Sequence, residues 1–281
     1  MSLQHIFNDC HLLVNRYESV SGGDVNKAYC LQATDSKYFL KVNDADKYPG
    51  LLLQEQNGLQ ALQSEAGLSV PEVIKYGQVE NDQYLLMEWI EQGQPREDCW
   101  STFGAAVAVM HKKSQSYFGW KENNFIGTIL QQNEPAGDWN SFYAQRRLLP
   151  LVQKLFDTGM LTSEDLRLAE AFCKNLSHLL PEEPPALLHG DLWNGNFMLA
   201  ATGEVVIFDP AVYYGHREMD VAMTRLFGGF DAQFYTAYNG IYPLEKGWQQ
   251  RLYISQLYPL LVHATLFGGH YISQVKETLR R

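Results

Sequence analysis

Residues 187–196 read Leu-Leu-His-Gly-Asp-Leu-Trp-Asn-Gly-Asn, and the stretch that follows ends at Asp209-Pro210. Between them lie an apolar run from Phe197 to Ala200, a turn-prone Ala201-Thr202-Gly203-Glu204, and a second apolar run from Val205 to Phe208. Apolar run, turn and apolar run predict a short β-hairpin. Asn196 precedes its first strand and Asp209 follows its second, so the two side chains are expected at the same open end. Asp191 precedes Asn196 in the same loop. Oxygen-only donors that include an amide suit magnesium better than zinc, which prefers nitrogen and sulfur. An Asp, an Asn five residues on and a later Asp fit phosphoryl transfer, with Asp191 accepting the acceptor hydroxyl's proton and Asn196 and Asp209 holding the metal. A polar surface hairpin with ordinary turn residues is the bland alternative, and it explains any one of the three better than all together.

The chemistry also needs a cation for the phosphates. Lys41 lies inside Tyr38-Phe39-Leu40-Lys41-Val42, where an ammonium is costly unless paired. Leu52, Glu55, Leu59 and Leu62 share one face at helical spacing, so Glu55 interrupts an apolar stripe and also wants a partner. Pairing Lys41 with Glu55 satisfies both, as in kinases whose strand lysine holds the α- and β-phosphates of ATP. A snorkelling lysine and a rim glutamate would be the alternative. Upstream, Gly22 and Gly23 in Ser21–Asn26 would let backbone N–H groups approach phosphate oxygens. Glu88 and Ile90 fall where a linker strand would present backbone groups to adenine. Lys41, Glu55, Gly22, Gly23, Glu88 and Ile90 are thus the candidate ATP-binding residues.

These residues need two kinds of scaffold. The first ninety residues favour strands, over 24–34, 37–42, 70–77 and 83–90, with Asp35-Ser36 as a hairpin turn and one helix over 49–64. Beyond Glu91-Gln92-Gly93-Gln94-Pro95 the pattern turns helical, over 100–114, 139–158, 163–180 and 243–275. The expected architecture is α+β and two-lobed. It has a nucleotide-binding sheet lobe over 1–90 with one helix, a hinge at 91–95, and a larger, mainly helical catalytic and acceptor-binding lobe over 96–281.

Hydrophobic residues make up 46% of the 281 and charged residues 19%, enough apolar material to exclude a disordered chain. Acidic residues outnumber basic ones 32 to 22, and the basic residues form no run beyond pairs such as Lys112-Lys113. That counts against a nucleic-acid partner. Cys10, Cys30, Cys99 and Cys173 are scattered without metal or CxxC spacing. No basic and apolar leader opens the sequence, and Leu257–Gly269 is too short to span a bilayer. The expectation is a cytoplasmic protein with no membrane partner; its oligomeric state is not encoded in any pattern.

With these residues in hand, the chain resembles the fructosamine kinase (ketosamine-3-kinase) family of the protein-kinase-like fold, kin to aminoglycoside phosphotransferases and choline kinases. His189–Asn196 is similar to the family's HGDLW-x-GN, and Asp209-Pro210-Ala211 with Tyr213–Asp220 is similar to its DPA and YYGHRE-x-D strings. Leu226–Phe230 and Asn124–Gly127, with Gln131, Asn133 and Trp139 following, are also family-like. The resemblance implies ATP- and magnesium-dependent phosphorylation of the 3-hydroxyl of a ribulosamine or fructosamine, a deglycation step. It implies Asp191 as base, Asn196 and Asp209 as metal ligands, Lys41 with Glu55 on the phosphates, and His189 and Asp220 as structural support of the loop. Trp193 would wall the acceptor sugar or simply support the loop. His216 would contact substrate or, with Arg217, pin the Tyr213–Asp220 segment. Asp24 departs from the Cys or Ser that many members carry after the paired glycines. A kinase for another small alcohol and a nucleotide-binding pseudokinase scaffold are the alternatives.

Overall fold

The computed structural model describes residues 3–20, 26–34 and 36–281, which fall into two units. The first comprises Met1–Cys99 and Met198–Asp209, the second Trp100–Phe197 and Pro210–Arg281. In chain order the first unit contains α1 (Gln4–Asp9), β1 (Val14–Ser19), β2 (Lys27–Ala33), β3 (Lys37–Asp44), α2 (Leu51–Ala66), β4 (Val73–Val79) and β5 (Asp82–Glu88). The strands form one antiparallel sheet in the order β1-β2-β3-β5-β4. The helix and most strands follow the sequence pattern, but α1 and β1 do not. The polar β1, VNRYES, lies almost fully exposed at the sheet edge and carries no alternation to read.

Strand period fixes which residues the sheet hides where. Leu40 and Val42 of β3, Leu31 of β2, and Tyr84 and Leu86 of β5 share a core with Ile6 and Phe7 of α1. Lys41, one residue out of phase with Leu40 and Val42, must therefore point to the opposite face. Its ladder partners are Ala28 and Leu85. α2 packs on the sheet with Leu52, Leu59 and Leu62 wholly buried, and it ends where Gly67 turns left-handed and caps its last carbonyls.

Although the sequence changes character at 91–95, the structural division falls after Cys99, and the Met198–Asp209 hairpin belongs with the sheet rather than with the helices. Backbone bonds are the reason. Gly93 N–H donates to the Leu199 carbonyl (2.9 Å), Ala201 N–H to Glu91 (2.7 Å) and Arg96 N–H to Gly203 (3.2 Å). A Cβ on Gly93 would stand 2.6 Å from the Ala201 Cα, so this close approach needs glycine.

The second unit is built from helices. They are α3 (Cys99–His111), α4 (Trp139–Phe142), a π-helical turn (Tyr143–Leu148), α5 (Leu149–Asp157), α6 (Ser163–Leu179), α7 (Glu218–Leu226), α8 (Ala232–Ile241), α9 (Trp248–Phe267) and α10 (His270–Leu279). α6 opens on a Thr162/Asp165 capping box. The single helix expected over 243–275 is two, because Gly268 and Gly269 both take positive φ and break it. Short strand pairs, Ala186–Leu188 with Tyr213–Gly215 and Asn124–Ile126 with Ile129–Gln131, hold the loop segments between helices.

Candidate active site

The opposite face of the sheet carries a charged cluster. Lys41 Nζ donates to Glu55 Oε1 at 2.6 Å and to Asp209 Oδ1. Lys41 and Glu55 are buried, whereas the Asp209 side chain is 38% exposed. Burial opposes the Lys41 ammonium, but Asp209 and Glu55 outweigh it and hold its pKa above the ordinary lysine value. Two carboxylates share one cation, so the one with less water yields: burial raises the Glu55 pKa, Lys41 lowers it, and the Asp209 charge adds to the rise. Asp209 itself adopts a left-handed backbone (φ 56°), a conformation Asp tolerates better than most residues. Glu88 ends β5, with its N–H given to the Glu72 carbonyl and its carboxylate accepting from Glu72 N–H, both at 2.9 Å. Ile90 follows, half-buried. Gly22, Gly23 and Asp24 lie outside the described residues, as does Asp35 of the expected hairpin turn; β2 and β3 do pair down to Gln32 and Lys37.

In the second unit the loop after Ala186–Leu188 is held by backbone. Asp220, buried at the start of α7, accepts His189 N–H at 2.7 Å and Gly190 N–H at 3.0 Å, and His111 Nε2 lies 3.2 Å from it. Asp191 N–H donates to His189 Nδ1 at 3.2 Å. On the other side Ala211 N–H donates to the His189 carbonyl at 2.8 Å. Gly190 has φ 84°, and any Cβ there would collide with the Ala211 carbonyl. The loop is thus fixed on both flanks, and it presents the half-buried Asp191 side chain next to Asn196. Asn196 Nδ2 donates to the Asp191 carbonyl (2.9 Å) and to Asp191 Oδ2 (2.8 Å). Both bonds use the amide nitrogen, and neither uses Oδ1.

The structure thus joins Lys41, Glu55 and Asp209 within the first unit, and His189, Asp191, Asn196 and Asp220 within the second. The donor chemistry fits magnesium. Asn196 Oδ1 and Asp209 are oxygen donors, and among the described residues no three His, Cys, Asp or Glu side chains gather into a cage of their own. Magnesium is ordinarily held by one or two protein oxygens with substrate phosphates completing its shell.

Trp193 lies over Gly195, where a Cβ would meet its ring, and packs edge-on against Phe227 at 5.3 Å. From Phe227 an aromatic wall continues through His263 (4.8 Å) to Tyr271 (5.0 Å from His263) and the half-exposed Phe267. Sequence reasoning noted Phe227 only within a family-like string and missed His263, Phe267 and Tyr271, because α9 reads as a buried helix and the glycine break that brings α10 back was not anticipated. Of the two roles open to His216, contact with substrate or a pin on the Tyr213–Asp220 segment, its geometry favours the pin. The side chain is fully buried, its Nδ1 accepts Glu218 N–H at 3.2 Å and its Nε2 faces the Pro181 carbonyl at 3.2 Å, so both ring nitrogens are spent. The neighbouring Arg217 forks onto Glu183 at 2.6 and 2.7 Å, completing a pin rather than a binding surface.

The family model described as fructosamine kinase matches residues 4–281. A protein of Enterococcus faecium named "Probable ketoamine kinase" is 39% identical over 99% of this chain and 99% of its own length. A rice protein, "Protein-ribulosamine 3-kinase, chloroplastic", is 36% identical over 93% of this chain and 77% of its own. The crystal structure of a candidate fructosamine-3-kinase from Thermobifida fusca superposes with a TM-score of 0.88 at 35% identity, covering 99% of this chain and 96% of that one. An aminoglycoside phosphotransferase at 14% identity and a TM-score of 0.63 shares the fold alone. Among the described residues no helix is long and apolar enough to cross a membrane.

Proposed function

Because this chain belongs to the fructosamine kinase family, matched across residues 4–281, we propose that it transfers the γ-phosphoryl group of ATP to the 3-hydroxyl of a ketosamine. The observation that carries this reading is the loop geometry. The backbone of the two residues before Asp191 is held by Asp220, its own N–H by His189 and its carboxylate by the Asn196 amide, which is the pre-organisation a general base requires. The acceptor oxygen attacks the γ-phosphorus, the bond from that phosphorus to the β-phosphate oxygen breaks, ADP leaves and the hydroxyl proton passes to Asp191. Lys41, kept charged by its two carboxylates, holds the α- and β-phosphates. Backbone groups of Glu88 and Ile90 take the adenine, and Gly22 and Gly23 the phosphate approach. Asn196 and Asp209 would hold magnesium, which when bound offsets the charge that develops on the phosphates.

The wall of Trp193, Phe227, His263 and Tyr271 supports a sugar face on the acceptor side, with an exit for the amine substituent past Phe267. A ribulosamine is preferred over a fructosamine, in line with the name of the rice relative. Aromatic rings also suit a quaternary ammonium, so choline is the sharpest competitor. The test is an ATP-dependent acceptor panel with the phosphate position on the product located by NMR. Ribulosamine and fructosamine of lysine should show higher kcat/KM than kanamycin, choline or free hexoses. If kanamycin or choline beats both ketosamines, the substrate assignment fails.

A further inference from the structure

Arg147 is a buried cation without a counter-ion. Its side chain is wholly buried, and among the described residues it pairs with no carboxylate. Burying a guanidinium is expensive unless its donors and charge are satisfied locally. Here Nη1 donates to the Gln132 carbonyl at 2.5 Å and Nη2 to Asn133 Oδ1 at 2.6 Å, while Nε has no partner. The guanidinium carbon stands 4.3 Å from the Tyr213 ring centroid and 4.6 Å from that of Phe142, so π faces supply part of the lost hydration. The residue sits in the π-helical turn Tyr143–Leu148, whose extra residue per turn is a departure from regular helix commonly kept for function.

The bonds leaving Arg147 lead to the catalytic loop. Asn133 Nδ2 donates to Asn124 Oδ1 (2.8 Å), and Gln131 Nε2 donates to the same oxygen (2.8 Å). Asn124 Nδ2 then holds the Val212 carbonyl at 2.7 Å, and Gln131 Nε2 the Ala211 carbonyl at 3.1 Å. Tyr258 completes the set by donating its hydroxyl to Gln131 Oε1 at 2.9 Å. The side-chain amides of Asn124, Gln131 and Asn133 are all engaged at both ends, so this part of the network is satisfied in a way that specifies one geometry. Its endpoint, Ala211, is the residue whose N–H grips the His189 carbonyl and whose own carbonyl lies against Gly190. We propose that Arg147 is a positioning residue for the catalytic loop, acting through Asn133, Asn124 and Gln131 on the Ala211–Val212 backbone and thereby fixing where Asp191 stands. Its role in turnover rests on the kinase reading above; its grip on the loop does not.

The experiment cuts the path at both ends. Arg147→Lys keeps the charge but cannot fork onto two acceptors, and Asn124→Ala removes the tether to Val212. Leu176→Ala on α6 serves as a control that loosens the same unit at a buried residue outside the network's hydrogen bonds. Both network variants should lower kcat ~10- to 100-fold, as expected of a small misplacement of a catalytic group, with the KM for ATP nearly unchanged. The control, compared at equal loss of Tm, should keep wild-type kcat. Amide hydrogen exchange of the full chain supplies a readout independent of turnover: His189, Gly190 and Asp191 should exchange faster in both network variants and not in the control. If Arg147→Lys fails to fold, Asn124→Ala carries both readouts. Unchanged exchange at His189–Asp191 in the folded variants overturns the proposal. Wild-type protein inert on every acceptor, with exchange altered as expected, would instead overturn the kinase reading and leave the loop assignment standing.

Discussion

The Lys41 cluster and the Asp191 loop are stabilised by opposite means. Around Lys41 charge is met by charge: one ammonium and two carboxylates, two of the three groups buried, with little neutral hydrogen bonding between them. Around Asp191 the bonds run to backbone, with Asp220 spending its carboxylate on the N–H groups of His189 and Gly190. On the proposed function the first arrangement is a balance that a bound polyphosphate would re-divide, with Lys41 exchanging part of its contact with Asp209 for phosphate. The second has no such freedom, since its donors and acceptors belong to the chain itself. A site that must take up charge and release it is made of ions; a site that must hold one atom still is made of backbone hydrogen bonds.

The sharpest way to break this contrast is to remove one member of each. Asp191→Asn changes an acceptor of protons into an amide of nearly equal volume, so kcat should fall by ~10²–10⁴ while ATP affinity stays near wild type. Lys41→Met should do the reverse in binding and stability. It leaves Glu55 buried with no cation, a loss of about 3–5 kcal/mol for a broken buried pair, and it weakens ATP binding directly. Tm, ATP titration and single-turnover rates separate the two. If Lys41→Met bound ATP as tightly as wild type, the ion cluster would not be the phosphate site. A kcat above about half of wild type in Asp191→Asn would remove Asp191 from the role of base.

Both halves were legible in the sequence for reasons the structure makes plain, and the parts that were not share a different cause. Lys41 declared itself because an ammonium one step out of phase with Leu40 and Val42 in a strand needs a partner, and Glu55 because it interrupted Leu52, Leu59 and Leu62. The loop could be read from a contiguous string. The bracing of that loop could not, because Asn124 meets Val212 across 88 positions and Gln131 meets Ala211 across 80. Asn124, Gln131 and Asn133 stood out only as part of a family resemblance, with no physical role visible in their order. The aromatic wall was hidden similarly, since Phe227 follows the end of α7 and His263 lies within α9. α7 and α8 were passed over because Gly228, Gly229 and Pro243 chop the region too finely for a periodic signal.

A smaller effect tests whether the ion site is also positioned by backbone. Gly93 approaches Ala200 and Ala201 so closely that a Cβ would meet main-chain atoms, which cannot rotate away. Gly93→Ala must therefore displace the 91–96 segment from the hairpin that ends at Asp209. The strain should cost about 1–3 kcal/mol, the range for overpacking, and raise the KM for ATP more than it lowers kcat. A KM for ATP equal to wild type, with Tm lowered, would show that the hairpin tolerates the shift and that Asp209 is placed by Lys41 alone.

The smallest expected effect concerns a group that the second unit keeps uncharged. His216 is fully buried, and burial lowers its pKa below the ordinary histidine value, although Glu183 and Glu218 pull the other way. A histidine depressed in the folded state is neutral there, so its contribution to stability is complete above the unfolded pKa of about 6.5 and is lost as pH falls through the lower folded value. His216→Gln preserves the neutral bonding, because the amide oxygen can accept Glu218 N–H and the amide nitrogen can donate to the Pro181 carbonyl. The variant should therefore match wild type near pH 7.5 and lose less Tm between pH 6.5 and 5, the gap growing by at most ~1.4 kcal/mol per pH unit for a single proton. His263, also depressed by burial, is unchanged in the variant and contributes equally to both curves. Tm curves that run parallel across this range would mean that His216 takes no extra proton on unfolding, and the neutral pin inferred from its two bonds would be wrong.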